Sequence, residues 1–130
     1  MDIVGIGTEI VECLRIRHMM EQHGEQFLLR VYSEKEVRFC QSRRHAYEHF
    51  AARWAAKEAV IKSLRPLGAT GVSWSEIEVG TDEASLGKAI VRGQLREIMD
   101  ARGVGDVLVS LAYCRLYATA TAIAIRKPAL

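Results

Sequence analysis

Alanine recurs in this chain at two different periods, and the pairing restricts the fold more than any other feature. Between Leu116 and Ile125 an extended segment would carry Ala118, Ala120, Ala122 and Ala124 on one face. The other face would carry Tyr117, Thr119, Thr121, Ile123 and Ile125. Neither face is charged, so both are expected to be covered. Between about His45 and Leu64 the spacing is helical, with Ala51, Ala52, Ala55, Ala56 and Ala59. Side chains this small let another backbone come close. A chain of 130 residues has room for one domain and little more, so these surfaces predict that several copies associate.

The remaining elements follow from local signals. Ile3, Val4, Ile6 and Ile10 around Gly5 and Gly7 read as a buried first strand ending near Thr8. Val11 to Met20 reads as an amphipathic helix, broken at Gly24. Ser33-Glu34-Lys35-Glu36 is a capping-box pattern that starts a second helix. The alanine-rich helix is third, stopped by Pro66 and Gly68, with a turn at Gly68-Ala69-Thr70-Gly71. Strands are expected at Glu76–Val79 and Lys88–Val91, joined through Gly80–Gly87, and a helix from Gln94 to Ala101 closed by Gly103 and Gly105. Val107–Leu111 and the alanine strand finish the chain. The order β-ααα-ββ-α-ββ is an α+β arrangement in a single domain spanning residues 1–130.

Composition narrows the function classes. Apolar residues at 49% and charged residues at 26% describe an ordinary globular chain. A net charge of +2 gives no general case for nucleic acid. No run approaches the ~20 apolar residues of a membrane-spanning helix. Cys13, Cys40 and Cys114 are too few and too far apart for a disulfide framework or a paired zinc motif, which suits a reducing cytoplasm.

Several strings bear on chemistry. His45-Ala46-Tyr47-Glu48-His49 has the H-x-x-E-H form of an inverted zinc-protease motif, but the chain is short of room for a further ligand and a cleft. A solvated first helical turn is the plainer reading. Gly5-Ile6-Gly7 fails as a dinucleotide fingerprint because Ile10 stands where the third glycine belongs. A different set joins Glu9, just after the first strand, to Glu58 on the alanine helix, with Lys57 and Lys62 flanking Glu58. Two carboxylates on a strand end and a facing helix suit Mg²⁺, which takes one or two carboxylates and completes its shell with water and phosphate oxygens. An ordinary i,i+4 pair of Glu58 with Lys62 is the competing account.

At this point the sequence resembles the holo-acyl-carrier-protein synthases, which are 4'-phosphopantetheinyl transferases. Ile3-Val4-Gly5-Ile6-Gly7-Thr8-Glu9-Ile10-Val11-Glu12, followed by Arg15-Ile16, is similar to their opening signature. Ala52-Arg53-Trp54-Ala55-Ala56-Lys57-Glu58-Ala59-Val60-Ile61-Lys62 resembles the second, with Trp54 where phenylalanine is usual. Val31-Tyr32-Ser33 with Glu36, Gly71 to Val79, and Val109-Ser110-Leu111 with Tyr117-Ala118 resemble further segments in the right order.

The resemblance implies the phosphopantetheinyl transferase fold packed as a homotrimer, with active sites between subunits. It implies Mg²⁺-dependent transfer of phosphopantetheine from coenzyme A to a serine of an acyl carrier protein, as in fatty acid biosynthesis, releasing adenosine 3',5'-bisphosphate. Carried over residue by residue, Glu9 and Glu58 hold the metal, and Glu58 and Lys62 serve catalysis. Arg53, Lys57, Lys62, Ser110 and Tyr113 bind the coenzyme, and Arg15 docks the carrier's acidic helix. The base that takes the serine proton is open between Glu58 and a metal-bound water.

Departures from the family pattern keep a second reading in view. Glu9 replaces an aspartate, Ala112 and Tyr113 replace a hydroxyl residue and a histidine, and Ala89 replaces a proline. A diverged relative that binds coenzyme A or a carrier protein without catalysis is the alternative.

Overall fold

The computed structural model describes residues 2–64, 72–80 and 87–129. In chain order these form β1 (Ile3–Glu12), α1 (Cys13–His23), α2 (Glu25–Val31), α3 (Glu34–Gln41) and α4 (Ala46–Leu64). A 3₁₀ turn at Trp74–Glu76 follows, then β2 (Ile77–Val79), β3 (Ala89–Val91), α5 (Gly93–Ala101), β4 (Val104–Tyr113) and β5 (Tyr117–Arg126). No helix among the described residues is long and apolar enough to cross a membrane.

Two antiparallel sheets result. The larger has the order β1-β5-β4, and the smaller pairs β2 with β3. An isolated bridge from Lys88 to Leu108 joins the small sheet to β4. The expected α+β architecture holds, with corrections. Gly24 ends α1 as expected, and at φ +55° it turns the chain directly into α2, a helix that the local signals do not announce. The first strand does not end near Thr8 but continues to Glu12, so the first helix starts at Cys13. The expected stops at Pro66 and Gly68, the turn at 68–71 and most of the 80–87 connection lie outside the described residues.

The two alanine series meet each other. Ala51, Ala52, Ala55, Ala56 and Ala59 have no exposed surface, and Ala118 to Ala124 on the inner face of β5 are equally buried. β1 comes closest of all. A Cβ on Gly5 would sit on the carbonyl oxygen of Ser63, and one on Gly7 would fall 2.0 Å from that of Ala59 and 2.8 Å from Lys62 Cβ. Gly5-Ile6-Gly7 is therefore a packing device and not a nucleotide loop. Gly7→Ala is expected to destabilise the protein by at least ~1–3 kcal/mol, because backbone and not a flexible side chain must yield. Urea melts check this, and an unchanged midpoint would show that β1 can lift off α4 freely.

The outer face of the large sheet is bare in the single chain, against the expectation that both faces of the last strand are covered. Ile6, Ile10 and Tyr117 are 52%, 64% and 46% exposed, and Thr8, Thr119 and Thr121 lie among them. Nor is β1 buried on both sides: it is an edge strand with only one face on α4.

Candidate functional site

Helix α4 carries most of the predicted residues and points them in different directions. Lys57 points inward. Its ammonium lies 2.7 Å from the Glu36 carboxylate, both side chains fully buried, and it donates to the carbonyls of Val31, Trp74 and Ile77. Glu36 completes the arrangement: it closes the capping box with Ser33 at the start of α3 and accepts from the Val79 amide. Burial pulls the lysine below its ordinary range and the carboxylate opposes that pull. Lys57 thus ties α2, α3, α4 and β2 together and has no donor to spare for a phosphate. The coenzyme contact expected of it finds no free donor in this arrangement. The sequence showed only the capping box; nothing in spacing placed Glu36 beside Lys57, 21 residues on.

The second group forms at the β1 edge. Gly5 lies against Ser63 and Gly7 against Ala59 and Lys62, so β1 runs toward the N-terminal end of α4. Glu9, next on the same face, comes level with the turn bearing Glu58. Lys62 Nζ reaches Glu9 Oε2 at 3.2 Å and the Thr8 carbonyl at 3.0 Å. The i,i+4 pairing of Lys62 with Glu58 does not form; Glu58 instead accepts a 2.5 Å hydrogen bond from the Trp74 indole. Trp74, which sequence reasoning did not single out, borders a cleft of about 300 Å³ lined also by Arg15, Met19, Phe27, Arg30 and Trp54. The Arg15 guanidinium lies 5.7 Å from the Trp54 ring. Lys62 and Glu9 thus meet at the β1 edge, while Glu58 is tied through Trp74 to the cationic, aromatic cleft.

The third group lies at the β4 edge, the opposite side of the sheet. Arg53 is buried, stacks 4.3 Å from the centre of the Phe39 ring and leaves Nε without a partner. Burial lowers its pKa. Tyr113 Oη stands 3.3 Å from His49 Nε2. Ser110 does not join them. It pairs with Thr121 on the outer face of the sheet, away from α4. His45 and His49 do not act as a pair either, since His45 borders a separate groove with Cys13, Arg17 and Tyr47.

Among the described residues no group of three or more His, Cys, Asp or Glu is assembled to hold a metal ion. Glu9 and Glu58 offer two oxygen ligands, a set that fits Mg²⁺ completed by water and substrate phosphates and does not fit structural zinc.

Comparison with known proteins identifies the family. The family model described as "4'-phosphopantetheinyl transferase superfamily" matches residues 5–112. The holo-[acyl-carrier-protein] synthase of Rhodopirellula baltica is 42% identical over 120 residues, covering 92% of this chain and 95% of that protein. The crystal structure of the enzyme of that name from Neisseria meningitidis superposes with a TM-score of 0.82 at 27% identity, covering 96% and 100% of the two chains. The Chronobacterium ammoniagenes ACPS–CoA complex gives a TM-score of 0.79 at 28% identity, over 98% and 100%. With its signatures folded into one helix-on-sheet scaffold and relatives matching along nearly its whole length, this chain belongs to the holo-acyl-carrier-protein synthase family of 4'-phosphopantetheinyl transferases.

Proposed function

We propose that this chain transfers the 4'-phosphopantetheine group of coenzyme A to a serine of an apo acyl carrier protein, with Mg²⁺ held by Glu9 and Glu58. The serine oxygen forms a new bond to the phosphorus of the pantetheine phosphate. The bond from that phosphorus to the nucleotide's phosphate oxygen breaks, releasing adenosine 3',5'-bisphosphate. Such transfer depends on positioning and charge neutralisation more than on covalent help from the protein. When bound, Mg²⁺ would neutralise charge on the diphosphate. Lys62, half exposed beside Glu9, is placed to offset the negative charge that grows on the departing nucleotide. Trp74 holds Glu58 in one orientation through its indole N–H.

The observation that carries the reading is the division of the site residues between opposite sheet edges. Lys62 meets Glu9 of β1, Glu58 sits one helical turn from Lys62, and Tyr113 ends β4 with Arg53 on the α4 stretch that also carries its partner His49, which supports such a division. A coenzyme held by both groups would lie between two copies of the chain. The bare sheet face with Ile6, Ile10 and Tyr117 supplies the surface on which copies associate, and three copies close a ring without leaving an unmatched face. The Arg15 cleft next to Glu58 would receive the carrier protein, its arginines facing acidic residues. The free cysteines Cys13, Cys40 and Cys114 fit a cytoplasmic setting.

The deciding experiment incubates purified protein with Mg²⁺, coenzyme A and apo carrier protein and weighs the carrier. A gain of about 340 Da, the mass of the pantetheine phosphate, is expected, from an enzyme sedimenting at three times its chain mass. Coenzyme binding with no mass gain on any of several carriers would favour the non-catalytic alternative.

A further inference from the structure

Among the described residues only two buried side-chain nitrogens lack a hydrogen-bond partner, His49 Nδ1 and Arg53 Nε. They lie about one turn apart on α4 and rest against one ring. The Arg53 guanidinium stands 4.3 Å from the Phe39 centroid and the His49 ring meets Phe39 edge-on at 5.7 Å. Arg43 lies 4.4 Å from the same centroid. Tyr113, at the end of β4, covers His49 with ring centres 4.8 Å apart and sets Oη 3.3 Å from Nε2.

The chemistry of this shelf is one-sided. Where the tyrosine O–H donates to Nε2 the neutral ring carries its proton on Nδ1, and a protonated ring donates from Nδ1 whichever way that contact runs. Both orphaned nitrogens are then donors, and what the shelf lacks is an acceptor. With two guanidinium groups against one aromatic ring, the favoured acceptor is an anion.

We propose that His49, oriented by Tyr113 and set beside Arg53, binds a phosphate group at the nucleotide end of the coenzyme through Nδ1 and takes up a proton as it does so. The inference rests on the transferase reading and adds to it a titrating residue on α4. That residue supplies an imidazole where the hairpin, with Ala112 and Tyr113, has none. The groups facing His49 set the direction of the proton movement. Burial first, then Arg53 on α4 and Arg43 and His45 just before that helix, hold the imidazole below its usual pKa, against an opposing pull from Glu48. Tyr113 from β4 and Phe39 from α3 complete the surroundings. The free protein therefore holds His49 neutral near pH 7. A phosphate dianion beside it stabilises the imidazolium, so the bound pKa lies above the free one and affinity rises as pH falls between them.

Calorimetric titration of coenzyme A at fixed Mg²⁺, at pH 6.5 and pH 8.0 and in buffers of different ionisation enthalpy, reads both quantities. The wild type is expected to take up protons and to bind roughly five- to tenfold more tightly at pH 6.5. His49→Phe and His49→Gln are expected to lose that proton uptake and most of that pH dependence. Dephospho-coenzyme A separates the two phosphate sources: if proton uptake vanishes with it, the phosphomonoester is held, and if uptake persists, the diphosphate is. Equal proton uptake by wild type and both variants overturns the inference while leaving the transferase reading intact. If neither variant folds, a wild type that binds coenzyme A without proton uptake overturns it alone. Failure of coenzyme A to bind at either pH, with no carrier gaining mass, removes the transferase reading and this inference together.

Discussion

Glu58→Gln is expected to lower phosphopantetheine transfer by on the order of 10²–10³-fold while leaving the thermal melt unchanged. The amide oxygen of glutamine still accepts the Trp74 indole hydrogen bond, so the 3₁₀ turn stays docked on α4. What disappears is one of the two carboxylates proposed to hold Mg²⁺, and with it charge stabilisation realised as the diphosphate bond breaks. The carrier mass-shift assay measures the loss. The proposed division of the site between chains gives a second readout. Glu58→Gln protein mixed with an Arg53→Met variant and reassembled should regain about a quarter of the wild-type activity, because random mixing creates some interfaces with both native halves. Two inactive variants that stay inactive when mixed would place Glu58 and Arg53 in one chain's site or outside the site altogether. Full turnover by Glu58→Gln alone would move the metal elsewhere.

Lys57→Met is expected to destabilise the protein by about 3–5 kcal/mol, the usual cost of removing one partner of a buried ion pair. The Glu36 carboxylate would remain fully buried opposite a thioether, and the carbonyls of Val31, Trp74 and Ile77 would lose their shared donor. Against a total stability of about 5–15 kcal/mol this is a large fraction, lowering the melting temperature by roughly 10–20 °C. The double variant Glu36→Gln with Lys57→Met should be less damaged than Lys57→Met alone, since it buries no uncompensated charge. Below its melting temperature, folded Lys57→Met protein should bind coenzyme A normally. Normal stability with weakened coenzyme binding would return Lys57 to the ligand role that its position in the signature suggested.

Lys57 shows what a signature string can and cannot convey. Arg53, Lys57, Glu58 and Lys62 occupy ten residues of one helix, and their side chains radiate to three destinations. A helix turns by 3.6 residues, so adjacency in sequence separates Lys57 from Glu58 by roughly a quarter turn. One enters the core, the other faces Trp74. Ser110 illustrates the same point in a strand, where the period of two puts it on the face opposite Arg53.

Sequence alone determined the elements whose signals are local. The capping box at Ser33 and Glu36, the helix bearing the alanines and the alternation in the last strand each arise from side chains within a few positions of one another. The sequence pairs Glu9 with Glu58, and the α4 side chain that reaches Glu9 in the fold is Lys62. Only the tertiary structure decided how far apart in sequence true neighbours lie. It put Glu36 against Lys57, Trp74 against Glu58, and Tyr113 against His49. The physical reason is that hydrogen bonds and ion pairs act over a few ångströms of space, a distance that chain order does not encode once strands and helices have packed.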